Sequence, residues 1–260
     1  MKKLLIVLFL FLVSCAPSKE QVELRKAHKE AHKKNYFKAI NKYFFVSKKF
    51  PGTKESIEAT KKAANYSFLN QRDYVSALYF LKKLVVVSAN NKEKIEAQRQ
   101  IAEIQFQHLK NCDEAILEYK KLLMMEKDAH YKFISVRNIA HCYSNIGEFK
   151  QALTELKAVK ETELSQKDKY LFYIDTANYL ENIDNLDAAH KVYIKINEEF
   201  PILYREESLG LKVAVLFEEE KKFSKAIEVL RRIRSTYPQP DFIDLKIESL
   251  KRRRKYLPEG

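Results

Sequence analysis

The sequence is poor in the residues that build turns and tight loops. It contains only four Gly and six Pro among 260 residues, which is few for an all-β protein. Glycine is also too rare for a phosphate-cradling loop, and the sequence has neither a Gly-x-Gly-x-x-Gly run nor a Walker A motif. The composition therefore disfavours a sheet-based fold and excludes the common nucleotide-binding loops.

The sequence also lacks the patterns of a catalytic or metal site. Its six His are scattered, and only His28 and His32 have a spacing that puts them on one helix face. Lys29 stands where a zinc-protease motif requires Glu, and no third ligand lies nearby. No Ser, Cys or Thr nucleophile accompanies a His and an orienting acid in a recognisable pattern. We therefore predict a protein that is not an enzyme, with no cofactor, no metal and no small-molecule substrate.

Cysteine is scarce as well, with three residues in the whole chain. Cys112 and Cys142 both occupy apolar positions inside helical patterns, which favours two packed thiols. A disulfide between them is the alternative, because an exported compartment would permit one.

The amino terminus reads as an export signal. Two Lys precede ten apolar residues, from Leu4 to Val13, which are too few to span a bilayer as a mature helix. The next residues, Ser14 and Cys15, complete a run that resembles the bacterial lipobox, Leu12-Val13-Ser14-Cys15. The resemblance implies that Cys15 is acylated and becomes the new amino terminus, and Ala16 after it implies the periplasmic face of the outer membrane. An ordinary signal peptide with a coincidental Cys is the alternative.

Two ladders of Ala repeat through the rest of the chain with one period. In both, successive rungs are about 37 residues apart, and a larger apolar residue stands three positions before each rung of the second ladder. Small residues at such positions let the two helices of a hairpin approach closely. The first ladder is Ala27, Ala64, Ala102, Ala140, Ala177 and Ala214; the second is Ala39, Ala77, Ala115, Ala152, Ala189 and Ala226. The period predicts a stacked array of helical hairpins, an architecture that binds other molecules.

The fourth repeat resembles the tetratricopeptide (TPR) signature nearly position by position. It carries Val136, Ile139, Ala140, Tyr143, Gly147, Ala152, Leu156 and Val159. It departs from the family at Val136, where the signature has Trp, and no Pro closes the unit. Repeats two and three carry one extra residue between their Ala rungs, and the period exceeds the family's usual length of about 34 residues. Together with the lipobox, the sequence is similar to TPR lipoproteins of the bacterial envelope, of the Bam-complex type or associated with the Tol–Pal system.

These features predict an all-α, right-handed superhelical solenoid of about six TPR-like hairpins plus a C-terminal capping helix. We divide the chain into a signal peptide (1–14), an acylated Cys and tether (15–20), a TPR-like array (21–237), and a capping helix with a basic tail (238–260). The first helix of the sixth pair is expected to run unbroken from 203 to 220, and the capping helix is expected to be the thirteenth. Asp73 and Ser165 are predicted helix N-caps.

A binding groove is predicted along the first helices of the repeats. On each first helix, one stripe of side chains avoids the hairpin contact. It consists of the residues three before, one after and four after the Ala, and in TPR proteins this stripe lines the concave face. A solvated surface is the alternative interpretation. Lys61 and Asn65 resemble half of a TPR carboxylate clamp, but Ile134 and Asn138 stand where its second half would be. The stripe contains the predicted groove residues Lys61, Asn65, Phe68, Arg99, Phe106, Arg137, His141 and Asn178.

The chain carries 48 basic against 35 acidic residues, a formal net charge of +13. Such an excess favours anionic partners, although it also keeps a highly exposed array soluble. The charge is densest in a basic tail, which we predict either to be a solvated helix end or to contact anionic lipid or an acidic partner. No nucleic-acid partner is expected, because no stacking-aromatic module accompanies it. The basic tail comprises Lys251, Arg252, Arg253, Arg254 and Lys255.

The sequence therefore predicts a membrane-anchored, non-catalytic scaffold of the cell envelope that binds envelope proteins or peptides through its groove. By resemblance, its leading role is outer-membrane protein assembly. Coordination of cell division, peptidoglycan or motility machinery is the alternative within that class. A carrier of lipid or unfolded chains, and an envelope enzyme subunit that recruits substrate, are alternatives of other classes.

Overall fold

A computed structural model describes residues 17–257 of the chain. These residues form 14 α-helices and no strand, divided between two compact units at residues 127 and 128. Within each unit, consecutive helices pack as antiparallel hairpins. The predicted all-α architecture of TPR-like hairpins is confirmed. Cys15 and the rest of the leader lie outside the described residues.

Unit 1 consists of three helical hairpins. Each pairs a first helix with a second helix, and one core cluster of buried side chains runs through the first two pairs and into the third. The helices are α1 (Lys19–His32), α2 (Tyr36–Lys49), α3 (Lys54–Tyr66), α4 (Tyr74–Val87), α5 (Asn91–Glu103) and α6 (Cys112–Met125).

Unit 2 contains three further hairpins and two extra helices. The helices are α7 (Ala129–Asn145), α8 (Phe149–Lys157), α9 (Gln166–Asn182), α10 (Leu186–Glu199), α11 (Pro201–Glu206), α12 (Leu209–Glu219), α13 (Phe223–Ile233) and α14 (Pro240–Tyr256). The capping helix is thus the fourteenth of the described helices rather than the thirteenth.

The Ala ladders lie where the hairpins cross. All twelve of these Ala are buried, none with more than 2% of its surface exposed. The larger apolar residues three positions before the second ladder are the first residues of α2, α4, α6, α8, α10 and α13. The two ladders therefore predicted both the helix crossings and the starts of all six second helices.

Each hairpin turn contains one residue in the left-handed backbone region, at the same place. It follows the first-helix Ala by seven residues, or by eight in hairpins two and three. Only the fourth turn uses glycine, Gly147, although this conformation costs other residues about 1–2 kcal/mol. The other five turns use Lys34, Arg72, Lys110, Asp184 and Lys221.

We expect Lys110→Gly to stabilise unit 1 by about 1 kcal/mol, because Lys110 has a φ of 54° and glycine tolerates this region without strain. The matched change is Gly147→Ala, whose new Cβ would meet no atom within 4 Å. It should cost about the same amount through the backbone alone. Urea unfolding of both variants measures the difference, and a destabilised Lys110→Gly protein would contradict the turn geometry.

The extra residue in repeats two and three is absorbed by π-helical turns at the ends of their first helices. These turns span Ser67–Gln71 and Ile104–His108. In hairpin two the Asp73 amide donates to the Ser67 carbonyl, six residues back, over 2.9 Å. In hairpin six the corresponding bond, from Lys222 to Phe217, spans five residues. The π turn thus inserts one residue without moving the left-handed turn or the Ala crossing that follows.

The prediction of one helix over 203–220 is wrong, because the chain breaks at Ser208, which has a φ of 54°. Pro201 does follow the end of α10, but it also begins the short helix α11, since proline is well suited to the first turn of a helix. Beyond the break, Gly210 lets α12 approach α13 closely. A Cβ there would lie 2.6 Å from Ile233 Cγ2.

The two predicted helix N-caps are confirmed. Asp73 and Ser165 accept hydrogen bonds from the Ser76 and Asp168 amides. Helix α8 ends at Lys157. Cys112 is half-buried and Cys142 is fully buried, so both thiols occupy packed positions.

The capping helix α14 covers the apolar side of the last hairpin, as predicted. Ile243, Ile247 and Leu250 are buried and share a cluster with residues of α12 and α13. Without this helix, the cluster would face water.

Candidate protein-binding site

The predicted groove residues lie on the first helices of the hairpins, on a row that we call the first-helix stripe. In unit 1 the stripe consists of Lys61, Asn65, Phe68, Arg99, Glu103 and Phe106. In unit 2 it consists of Arg137, His141, Ser144, Ile174, Asn178 and Glu181. The hairpin crossings bury the Ala residues beside the stripe and leave the stripe itself partly exposed.

The two cations of the stripe in unit 1 are held by acids of the following repeat or linker. Lys61 Nζ lies 3.0 Å from Glu93 Oε1 and remains 51% exposed. This contact, together with a hydrogen bond from Ser88, lowers the pKa of Glu93. Arg99 is only 18% exposed and places Nη2 2.7 Å from Glu126 Oε2. Arg99 therefore contributes to the fold, while Lys61 and the exposed Asn65 are accessible to a partner.

The two Phe side chains of the stripe sit on the π-helical turns. Phe68 contacts the rings of Tyr74 and His108, with centroids 6.0 and 5.2 Å away. Phe106 packs edge-on against Tyr119, at 6.2 Å. Both rings are partly buried, so part of each remains accessible to solvent. The π turns thus carry the aromatic part of the stripe.

In unit 2 the stripe is built around the buried carboxylate of Asp175. Arg137 approaches it with Nε at 2.5 Å and Nη2 at 3.4 Å. His141 Nε2 lies 3.5 Å from the same carboxylate, and its Nδ1 lies 3.2 Å from the Tyr179 hydroxyl. Burial lowers the pKa of His141, and Arg137 lowers it further, although Asp175 opposes both. A neutral imidazole therefore stands beside a paired Arg and Asp.

The next first helix continues the same arrangement. Lys212 Nζ on α12 donates to Asn178 Oδ1 over 2.8 Å and lies 3.1 Å from Glu181 Oε1. Glu181 also accepts a hydrogen bond from the Tyr193 hydroxyl of α10. Asn178 is thus tied to the following repeat, with its side chain half-exposed.

The acids that pair with the stripe were not predicted from the sequence. Helical periodicity placed the cations Lys61, Arg99 and Arg137 in the groove, but it did not assign Glu93, Glu126 and Asp175 to them. A signal was present for Asp175, which stands close to one repeat period after Arg137 in the chain. His130 and Asp168 have the same separation and pair at 2.8 Å.

The basic tail is partly used within unit 2. Arg253 pairs with Glu218 and lies over the Phe223 ring, while Lys251 pairs with Glu248. Arg254 donates to Ser224 Oγ over 3.1 Å. The predicted contact of this tail with anionic lipid stays a prediction, and these bonds are what a ligand would have to displace.

The described residues carry neither a metal-binding cluster nor a membrane-spanning helix. Within 17–257, no group of three or more His, Cys, Asp or Glu side chains could hold a metal ion. Over the same span, every helix is too short or too polar to cross a bilayer. His28 contacts the Tyr43 hydroxyl at 2.7 Å and Glu58 at 3.2 Å, so it belongs to the packing of hairpins one and two.

Comparisons with known proteins agree with this fold. A tetratricopeptide repeat family model matches residues 207–240, the segment of α12 and α13. A tetratricopeptide repeat protein from Parabacteroides merdae is 14% identical, with a TM-score of 0.51 over 91% of this chain and 88% of that one. The MamA RS-1 ArsTM double mutant is 15% identical, with a TM-score of 0.51 over 77% of this chain and 97% of that one. None of the curated proteins matches the sequence.

The repeated hairpins, the matched segment and the shared fold define the class. Residues 207–240 match the TPR repeat family, and the hairpins around them share the fold of TPR repeat structures, a helical scaffold of the kind that mediates protein–protein interaction. Its fold is typically non-catalytic.

Proposed function

We propose that this TPR protein is a membrane-anchored scaffold that binds envelope proteins or peptides through its first-helix stripe. The observation that carries the proposal is the row of accessible polar and aromatic side chains beside the buried Ala crossings. In unit 1 this row combines the exposed Asn65 and Lys61 with the partly exposed ring of Phe68. Such a mixture suits a peptide segment with both polar and apolar groups.

The anchor is proposed from the sequence of the leader. Leu12-Val13-Ser14-Cys15 offers an acylation site at Cys15, and several acyl chains would hold the protein firmly, at about 0.8 kcal/mol for each buried CH₂. Ala16 after Cys15 favours the outer membrane, by resemblance to sorted lipoproteins. The anchor would then hold the protein at the membrane, and the first-helix stripe would determine which partner it binds.

Assembly of outer-membrane proteins is the role we favour within this class. It rests on the resemblance of the lipobox and the long TPR period to assembly lipoproteins. Coordination of division, peptidoglycan or motility machinery would use the same scaffold with other partners. The identity of the bound partner therefore separates these roles.

Photo-crosslinking in cells tests the stripe. A photoreactive phenylalanine derivative in place of Asn65 should give a discrete adduct with an envelope protein. The matched control replaces Asn41, an equally exposed Asn on the second helix α2 of the same unit. Lys61→Glu should weaken the adduct at position 65, because Lys61 lies one helical turn away and is half-exposed.

The proposal fails if position 65 gives no protein adduct, or if positions 65 and 41 capture the same protein equally. A Cys15→Ser arm of the experiment tests the anchor separately. That variant should leave the membrane fraction, and its retention there would overturn the acylation at Cys15 without affecting the stripe.

A further inference from the structure

The second helices of unit 1 expose apolar side chains on the face turned away from the hairpin crossing. An α-helix turns by 100° per residue, so some positions of each second helix point away from its buried Ala. These are the position two before the Ala and the positions two, six and nine after it, which lie within about 60° of the side opposite the Ala. Each large apolar residue at these positions is at least 49% exposed. This apolar outer face consists of Phe37, Phe45, Val75, Tyr79, Val86, Leu117 and Met124.

The hairpin fold does not require these residues. In unit 2 the second helices α8, α10 and α13 have the same fold, and their only exposed large apolar side chain is Ile194. Positions that match the apolar ones hold polar groups such as Lys150, Lys191 and Glu228. The apolar outer face is therefore a property of unit 1, and a contiguous exposed patch of this kind marks an interaction surface.

The three helices that carry the apolar outer face are linked by side-chain contacts. The Phe44 and Tyr79 rings of α2 and α4 meet edge-on at 5.9 Å. Lys83 of α4 donates to Ser47 Oγ of α2 over 2.6 Å. Lys82 of α4 reaches Glu118 of α6, at 3.9 Å. The exposed apolar side chains are therefore carried by three neighbouring helices.

Lysine surrounds the apolar side chains. On α2, α4 and α6 the exposed charged residues are seven Lys and one acid, Asp113. Glu118 is 3% exposed and is already shared by Lys82 and Lys121. The exposed lysines are Lys38, Lys42, Lys48, Lys49, Lys82, Lys120 and Lys121. A second copy of this face is a poor occupant, because it would oppose Lys with Lys.

We propose that the apolar outer face binds the surface of an anionic lipid bilayer. Its large side chains would enter the boundary between head groups and acyl chains, and its lysines would contact the anionic head groups. Each Lys near such a surface contributes electrostatic attraction, as in other basic amphipathic surfaces.

The position of unit 1 in the chain supports a bilayer as the occupant, a step that rests on the proposed acylation of Cys15. Helix α1 begins at Lys19, four residues after Cys15. Four extended residues span at most about 14 Å, so the anchor would hold the start of α1 close to the membrane. An acidic protein partner remains an outcome that the experiment distinguishes.

Tryptophan fluorescence tests the proposal on the full acylated chain, because the sequence contains no Trp of its own. Tyr79→Trp places an indole on the apolar outer face, and Ile194→Trp places one on the exposed surface of α10 in unit 2. Both proteins are reconstituted in phosphatidylglycerol-containing vesicles with or without brominated lipid. We expect roughly threefold stronger quenching at position 79 than at position 194, since brominated chains quench only inserted indoles.

Charge reversal supplies the second arm. In the Tyr79→Trp background, Lys42→Glu with Lys48→Glu should abolish most of the quenching, as should vesicles of phosphatidylcholine alone. Lys150→Glu with Lys157→Glu, exposed on α8, is the matched control and should leave the quenching unchanged. Circular dichroism confirms that each variant is folded.

Several results would overturn the proposal. Equal quenching at positions 79 and 194 would show that the face does not enter the bilayer. So would quenching at position 79 that is the same in anionic and neutral vesicles and is unchanged by Lys42→Glu with Lys48→Glu. Emission at position 79 that changes with protein density but not with bromination would assign the face to a second copy. An adduct in cells between position 41 and an acidic envelope protein, identified by mass spectrometry, would assign the face to that protein. Vesicle-bound protein with an unquenched indole would overturn only the proposed insertion of the apolar outer face. Complete absence of vesicle binding would overturn the proposed anchor as well.

Discussion

Replacing Arg137 with Met will destabilise unit 2 by about 3 kcal/mol at neutral pH, because it leaves the carboxylate of Asp175 buried without its main partner. The Asp175 side chain is only 6% exposed, whereas that of Arg137 is 25% exposed. Met retains most of the length of the Arg stem, so the change removes the charge more than the packing. Urea unfolding followed by circular dichroism measures the loss.

His141 limits this loss and gives it a pH dependence. Burial and Arg137 lower the pKa of His141 and Asp175 acts to raise it, so removing Arg137 should raise this pKa. A His whose pKa is lowered by folding destabilises the protein when the pH falls below its unfolded pKa, and raising the folded pKa reduces that penalty at low pH while changing nothing at high pH. The destabilisation of Arg137→Met should therefore be largest above pH 8 and smaller near pH 6. Proton NMR of His141 reports the shift directly.

The control is Asp175→Asn, which leaves a partly exposed guanidinium that can turn toward water. It should cost about 1 kcal/mol, the usual net contribution of one hydrogen bond, because the amide of Asn can still accept from Arg137. The double variant should lose less free energy of unfolding than the two single variants lose together, because the second change removes the group that the first left unpaired. Equal costs for the two single variants would contradict this asymmetry.

The same pairing decides how the first-helix stripe can be tested. Glu at position 99 or 137 would face the buried carboxylate of Glu126 or Asp175 and disturb the fold itself. Loss of partner capture in such variants would not separate binding from folding. Asn65 and Lys61 are better probes, since Asn65 is exposed and Lys61 loses only one surface ion pair when replaced.

Most of the fold was predictable because a helical array repeats one local solution. The Ala ladders specify where backbones cross, and the apolar residue three positions earlier specifies where each second helix begins. The break at Ser208 was not predictable in the same way. Residues 203–220 read as one helical pattern, and only the structure shows the left-handed Ser208 that separates α12 from α11 and the close approach of Gly210 to Ile233 beyond it.

The candidate site was predictable in position but not in chemistry. Helical periodicity alone placed Lys61, Arg99 and Arg137 beside the crossings. Their partners come from the next repeat or linker, so pairing depends on how neighbouring helices are offset, which one helix cannot reveal. The apolar outer face was missed because apolar residues on a second helix are usually taken as core, and only the structure shows that Val75 and Met124 are exposed.

Deleting Asn70 will leave unit 1 within about 1 kcal/mol of its original stability, because the π turn Ser67–Gln71 already holds one residue more than an α-helix needs. The bond from Asp73 to Ser67 would then span five residues, as the corresponding bond does in hairpin six. The interval from Ala64 to Ala77 would shorten by one residue and would then equal the interval in hairpins one, four, five and six.

Deleting Asn182 is the matched change and should have a large effect. Asn70 and Asn182 are both exposed, and each lies two residues before the left-handed residue of its turn, Arg72 or Asp184. Hairpin five has no residue to spare, so the deletion rotates the following chain by about 100° and moves Ala189 out of the crossing. We expect a loss on the order of 4 kcal/mol or more in urea unfolding. Equal losses for the two deletions would show that the π turn is not the site that accommodates the extra residue.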